Sequence, residues 1–366
     1  MKEKRNSSIE LLRIIAMLMI VGHHLAMHSQ FDFSAAPALN RFWVLFLREG
    51  GQAGVDIFFL ISGYFLVFQK GWRVKSLLKL WLEMSAAVLI YSFIGLSTGQ
   101  IELSLPGLLM IALKAMFPLG FNAWWFASVY MVLCLISPYI NMILNRLSKK
   151  EYQVMLGIFL TIWSVMPTFL TFKYELSNVL WACTVYSIGG YIRLHIDKRS
   201  FPEPGRLLFF STFSYFLNFG LVAVVSCLSK YFPYLESRVS AFYDMYSLFI
   251  LLSSVLMFLF FLNWPMGYSR LVNTIAGTTF GIYLLHDNKI VRELLWGNPF
   301  WNNAVDSPWF ILQSSAIILI IFIVGGIITF FLNLLLKPVQ QYIIKRVFRG
   351  RDCLTAVHSI PSDESR

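Results

Sequence analysis

Apolar stretches of about 18 to 20 residues recur from residue 9 to residue 336, separated by short segments where lysine, arginine and proline gather. A run of that length crosses the roughly 30 Å hydrocarbon core of a bilayer as an α-helix. The pattern predicts an all-α polytopic membrane protein of about ten transmembrane helices. They fall at 9–27, 53–69, 77–97, 124–144, 152–170, 178–195, 206–228, 242–262, 271–288 and 309–336. A shorter apolar piece, 104–118, contains Pro106 and Pro118 and reads as an interfacial or re-entrant segment. Gly50 and Gly51 suggest a loop just before the second helix, and Gly189 and Gly190 suggest close helix packing. No internal repeat, low-complexity linker or soluble domain is visible. The chain divides into a membrane domain, 1–340, and a basic tail, 341–366, placed in the cytoplasm.

Charge sets the orientation. With the N-terminus inside, most lysines and arginines fall on inner segments: Lys2, Lys4 and Arg5, then Lys70, Arg73, Lys75 and Lys79, then Arg146, Lys149 and Lys150, and on to the basic tail. That asymmetry is the positive-inside signature and puts both termini in the cytoplasm. It also accounts for the formal net charge of +11 without any nucleic-acid partner. The first helix follows basic residues as a signal peptide would, but no small-residue cleavage site follows, so it reads as a retained span.

Composition sharpens the class. The chain is 57% hydrophobic and 13% charged, where soluble domains carry about 25% charged residues. The four cysteines, Cys134, Cys183, Cys227 and Cys353, share no metal-ligand spacing and form no disulfide framework. No Walker sequence, zinc spacing or dinucleotide fingerprint occurs, and Ser62 lacks a G-x-S-x-G frame. Neither a metal nor a bound organic cofactor is expected.

The chemistry must then come from polar groups inside the spans, which are costly and mark functional sites. The first helix carries five: Glu10, Arg13, His23, His24 and His28. Arg13 and His24 are eleven residues apart, which is about 20° past three full turns, so they share a face roughly 16 Å apart. Glu10 is three residues before Arg13 and can pair with it. His23 points about 80° away from Arg13 and reads as a bystander; His28 lies at the rim. Asp56, Trp124, Trp125, Asp244, His286 and Asp287 all fall at the same outer depth as His24. Lys79 and Glu83 read as a self-satisfied pair.

Four stretches together resemble the family 3 integral membrane acyltransferases, the O-acetyltransferase group that decorates bacterial surface glycans. "ELLRIIAMLMIVGHHL" is similar to that family's first helix, where an arginine, ten residues and a histidine recur; Arg13 and His24 fit, and Arg13 with His23 does not. "GVDIFFLISGYFL", "WWFASVYMVLCLISPYIN" and "FGIYLLH" are similar to its second, tryptophan-rich and late helices. The resemblance implies a multi-pass enzyme of the bacterial plasma membrane with cytoplasmic acetyl-CoA as donor. It also implies a hydroxyl of a cell-surface or lipid-linked carbohydrate as acceptor. Some members carry an extra extracytoplasmic domain after the membrane core; no such domain is expected here, so transfer falls to the membrane domain or to a glycan-assembly partner protein.

On that reading Arg13, supported by Glu10, meets the acyl-CoA, and His24 takes the proton of the attacking hydroxyl, since imidazole exchanges protons near neutral pH. Asp56 or Asp287 orients the imidazole, Asp56 first. Trp124, Trp125, His286 and Asp287 line the acceptor site. An acyl-histidine intermediate is the alternative chemistry. A transporter or flippase for a lipid-linked sugar is the rival class, but no paired, Gly/Pro-interrupted halves are visible. A glycan polymerase calls for a large outer loop, and the expected outer segments, 28–52, 98–123 and 289–308, are short.

Overall fold

A computed structural model describes residues 5–121, 124–170, 178–297 and 300–348. Most of the basic tail, 349–366, including Cys353, lies outside them. The described residues are helical, with no strand among them. In chain order the helices are α1 (Ser7–His28), α2 (Ala38–Leu66), α3 (Val74–Ser97), α4 (Leu105–Met116), α5 (Trp125–Leu144) and α6 (Lys149–Leu160). A π-helical stretch with wider turns, Thr161–Val165, carries α6 into α7 (Met166–Phe169). Then follow α8 (Asn178–His195), α9 (Pro204–Leu228), α10 (Glu236–Tyr243), α11 (Leu248–Asn263), α12 (Arg270–Ala276), α13 (Thr279–His286), α14 (Lys289–Trp296), α15 (Phe300–Ala304) and α16 (Phe310–Phe348).

Among the described residues seven helical stretches are long and apolar enough to cross a membrane: Ser7–His28, Val74–Ser97, Trp125–Leu144, Lys149–Phe169, Pro204–Leu228, Pro233–Asn263 and Phe310–Arg346. Each coincides with an expected span. The other three expected spans are helical but differ in kind. At 178–195 the bounds of α8 agree with expectation, yet Thr184, Ser187, Gly189, Gly190 and Arg193 dilute its apolarity. Expected span 271–288 is broken in two. The hydroxyls of Thr278 and Thr279 donate to the carbonyls of Ile275 (2.7 Å) and Ala276 (2.9 Å), satisfying the last turn of α12 and letting α13 start afresh.

The third difference is α2. It begins at Ala38, not near residue 53, and passes through Gly50 and Gly51 without a loop. The glycines there serve packing. A Cβ on Gly51 would fall on the His23 side chain, so the bare backbone makes room for that imidazole. At 29 residues α2 is about 44 Å long, more than a bilayer core, and it is packed between α1 and α8.

α1 is the central element. Asn6 caps its first turn by accepting from the Ser8 N–H (3.1 Å), as N-cap asparagines do. The Ser7 hydroxyl donates to Asn273 (3.1 Å) and that of Ser8 to the Phe261 carbonyl, tying this end to α12 and α11. The segment 104–118 forms the short α4, none of whose residues is buried. At the periphery α9 and α16 expose Phe209, Phe213, Phe216, Ile320, Ile323 and Phe331, the apolar outer surface that lipid, not water, covers.

Candidate functional site

Two polar features lie at opposite ends of α1. At its N-terminal end is a cavity of about 830 Å³, within the size range of small-molecule sites. Arg5, Arg13, Arg73, Lys79 and Arg193 line it, balanced by Glu10 and Glu83. Arg13 Nε stands 4.0 Å from Glu10, and Lys79 Nζ 3.4 Å from Glu83, so both expected pairs form. The Arg193 guanidinium lies over the Tyr64 ring, 5.0 Å from its centroid, and donates to the Tyr64 hydroxyl (3.1 Å). Deeper in, the lining turns apolar: Met17, Phe58, Phe126 and Tyr283. Ser62 also lines the wall, but its hydroxyl donates back to the Phe58 carbonyl (2.8 Å), with the Tyr130 hydroxyl 3.4 Å away.

At the other end of α1, His24 meets the last turn of α13. The His286 Nδ1 is 2.6 Å from the Ile282 carbonyl, so Nδ1 must carry the proton and donate it. The neutral ring then presents a lone pair on Nε2. His24 Nδ1 sits 2.8 Å from that Nε2 and must be the donor. His24 is therefore left with its Nε2 lone pair free, and no described residue hydrogen-bonds to it. One backbone carbonyl thus sets the tautomer of both rings.

Asp287 closes the cluster. Its Oδ1 lies 3.5 Å from His24 Nδ1 and 3.7 Å from His28 Nε2. Through that same Oδ1 it accepts from both Arg292 Nη2 (2.7 Å) and Nε (2.8 Å), a charge-assisted clamp on one oxygen. Its Oδ2 is buried with no hydrogen-bond partner among the described residues, as is the Tyr283 hydroxyl. The arrangement can take a proton on His24 Nε2 and offset the resulting imidazolium with Asp287. The ligand atoms of His24, His28 and Asp287 also lie within 4.8 Å of one another.

The cavity and the cluster are adjacent but separate. Tyr283 lines the cavity, and its ring centroid is 6.3 Å from that of His24 and 5.5 Å edge-on to that of Phe126. His24 itself does not line the cavity. Tyr283, backed by Phe126, therefore stands where the basic chamber meets the histidines.

Of the residues singled out in the sequence, His24, His286 and Asp287 come together. Asp56 does not join them. It is fully buried on the face of α2 toward α8, where its Oδ1 accepts from Trp181 Nε1 (2.9 Å). The carboxylate beside the imidazole is Asp287 instead: depth along the bundle is readable from span position, whereas direction within the membrane plane is not. Trp124 also has a supporting place. Its Nε1 donates to the Leu284 carbonyl (3.1 Å), which the Tyr91 hydroxyl reaches as well, so both hold the end of α13 that carries His286 and Asp287. Trp125 is half-buried against Phe126, with ring centroids 6.0 Å apart. Asp244 ends α10 and accepts from the Met245 N–H (2.7 Å). His23 faces α2, its Nδ1 donating to the Arg48 carbonyl (2.7 Å).

Sequence reasoning passed over Arg292 and Tyr283. Arg292 lies in a polar segment where a charge is unremarkable, and its position five residues after Asp287 is the hint of the clamp that the sequence offers. Tyr283 sat in an apolar run with nothing to mark its hydroxyl.

A family model described as an acyltransferase domain matches residues 6–349. No curated protein and no solved structure matches the chain. The family match and the apolar helices together make this a multi-pass membrane acyltransferase. The match spans nearly the whole chain, and the chain belongs to acyltransferase family 3.

Proposed function

We propose that the protein moves a short acyl group, such as acetyl, from acyl-CoA on the cytoplasmic side to a hydroxyl of a cell-surface or lipid-linked carbohydrate in a bacterial plasma membrane. One observation carries this reading. A chamber lined by arginines and a histidine with a free ring nitrogen sit at opposite ends of one membrane helix, and Tyr283 touches both, lining the chamber and packing against the His24 ring. The charged coenzyme suits the chamber, where guanidinium groups match phosphate oxygens. The thioester end suits the apolar inner wall beside Tyr283.

The chemistry balances on this chain's own residues. The acceptor O–H gives its proton to His24 Nε2 as the oxygen attacks the thioester carbonyl carbon. The C–S bond then breaks, and the coenzyme thiolate takes the proton from the imidazolium. Asp287, held by Arg292, offsets the positive ring between the two transfers. Burial of the site keeps water from competing for the thioester.

The test uses the purified protein in liposomes with labelled acetyl-CoA and a lipid-linked or soluble glycan acceptor. Labelled acceptor is the expected product; acceptor transport without label transfer would instead support the flippase reading. Within that assay Arg13→Ala is expected to raise KM for acetyl-CoA about tenfold with a smaller change in kcat, as loss of a charged binding contact does. A pure kcat loss in that variant would move Arg13 out of donor binding.

A further inference from the structure

We propose that His24, His28 and Asp287 also form an inhibitory site for a divalent transition ion of the zinc type. His24 and His28 are one turn apart on α1, with ring centroids 5.4 Å apart; imidazoles at i and i+4 on one helix face are a recurrent way to hold zinc. Asp287 Oδ1 approaches the two from α13, 3.5 Å from His24 Nδ1 and 3.7 Å from His28 Nε2. An ion with bonds of about 2.0–2.1 Å in tetrahedral geometry has ligand-to-ligand edges of about 3.4 Å. Two edges of the site are therefore within a few tenths of an ångström of that value, and the third lies within 4.8 Å.

Two further observations point the same way. Asp287 Oδ2 is buried and unpartnered, although Arg292 holds the other oxygen. The oxygen that faces both imidazoles, Oδ1, is the one Arg292 holds, and ligating carboxylates are usually hydrogen-bonded in this way. His286 Nδ1 is tied to a backbone carbonyl, which aims its Nε2 at the same place. Arg292 already offsets the Asp287 charge, so the site favours an ion bound through imidazole nitrogen over calcium or magnesium, which need several oxygens.

The consequence for activity rests on the proposed role of His24. An ion at His24 Nδ1 needs the lone pair there, so the ring proton moves to Nε2. The nitrogen that would accept the proton of the attacking hydroxyl is then filled, and the hydrogen bond to His286 is lost. Binding of the ion itself does not depend on that role.

The experiment takes full-length protein in detergent, with any affinity tag removed, and titrates it calorimetrically with zinc chloride alone and with magnesium chloride. One zinc ion per chain is expected, no heat from magnesium, and unchanged binding in His195→Ala, which alters a histidine on α8. His28→Ala is expected to weaken zinc at least tenfold while keeping its transfer activity in chelator-treated buffer; His28→Gln serves the same comparison if the alanine variant elutes as aggregate. Zinc is then expected to inhibit transfer by the unaltered protein and not by the His28 variants. Absence of zinc binding, or binding equal in the His28 variants, overturns the site. Zinc bound at this site without inhibition overturns the inhibitory role. Site-specific zinc binding by a protein that transfers no acyl group in zinc-free buffer leaves the site standing and overturns the function proposed above.

Discussion

Replacing His24 by alanine is expected to lower acyl transfer by roughly 10²–10⁴-fold, the usual contribution of a positioned acid–base group. Its Nε2 is the imidazole lone pair whose availability follows from the hydrogen-bond chain through His286 to the Ile282 carbonyl. Binding of acetyl-CoA is expected to change little, because His24 does not line the basic chamber. The check is a KM-against-kcat comparison on protein that elutes as the unaltered one does, with His24→Gln as the volume-preserving variant. The two carboxylates separate here. Asp287→Asn keeps the shape but removes the charge beside the imidazolium, so kcat is expected to fall at least tenfold. Asp56→Asn keeps an acceptor for Trp181 and is expected to leave kcat within about threefold, since Asp56 touches Trp181 and not the histidines. Loss of activity in Asp56→Asn with none in Asp287→Asn would restore Asp56 as the orienting group and sink the assignment made from the structure.

That contrast shows which part of the site a sequence can carry. Helical periodicity alone puts Arg13 and His24 on one face, and it separates His24 from His23, whose ring points to α2. Span position puts Asp56, His286 and Asp287 at one depth. Neither says which of them faces α1, because that depends on how α13 is rotated against it. The break at Gly277 and Thr278, where α12 ends and α13 begins, sets that rotation. The threonine hydroxyls that satisfy the break were readable as residues, but the broken helix was not, since an unbroken apolar run gives the same hydropathy. Arg292 was hidden for the opposite reason: it lies in a polar segment where any charge is unremarked, and its partner is fixed only once α14 folds back.

The α2–α8 crossing offers the largest structural effect. Gly63→Val is expected to destabilise the protein by about 3 kcal/mol or more, or to prevent its folding. A Cβ at Gly63 would fall on the carbonyl oxygen of Tyr186, a backbone atom that cannot turn aside. From the other side, a Cβ at Gly189 would come within 2.9 Å of the Tyr64 nitrogen, so the two glycines let the backbones of α2 and α8 touch directly. Relief requires the helices to separate, and that strains every other contact across the crossing. The Asn141 side chain, for instance, receives the Tyr186 hydroxyl (2.8 Å) and donates to the Leu66 carbonyl (2.7 Å). Gly220 on α9 is the matched control: nothing lies within 4 Å of a Cβ placed there. Gly220→Ala is expected to be neutral or to stabilise by up to about 1 kcal/mol through helix propensity. Thermal unfolding in detergent, followed by tryptophan fluorescence, compares the two. If Gly63→Val unfolded at the same temperature as Gly220→Ala, α2 and α8 could not cross through their glycines. The Asp56–Trp181 pair and the chamber wall at Tyr64 and Arg193 would then both need another arrangement, because that crossing sets the position of each.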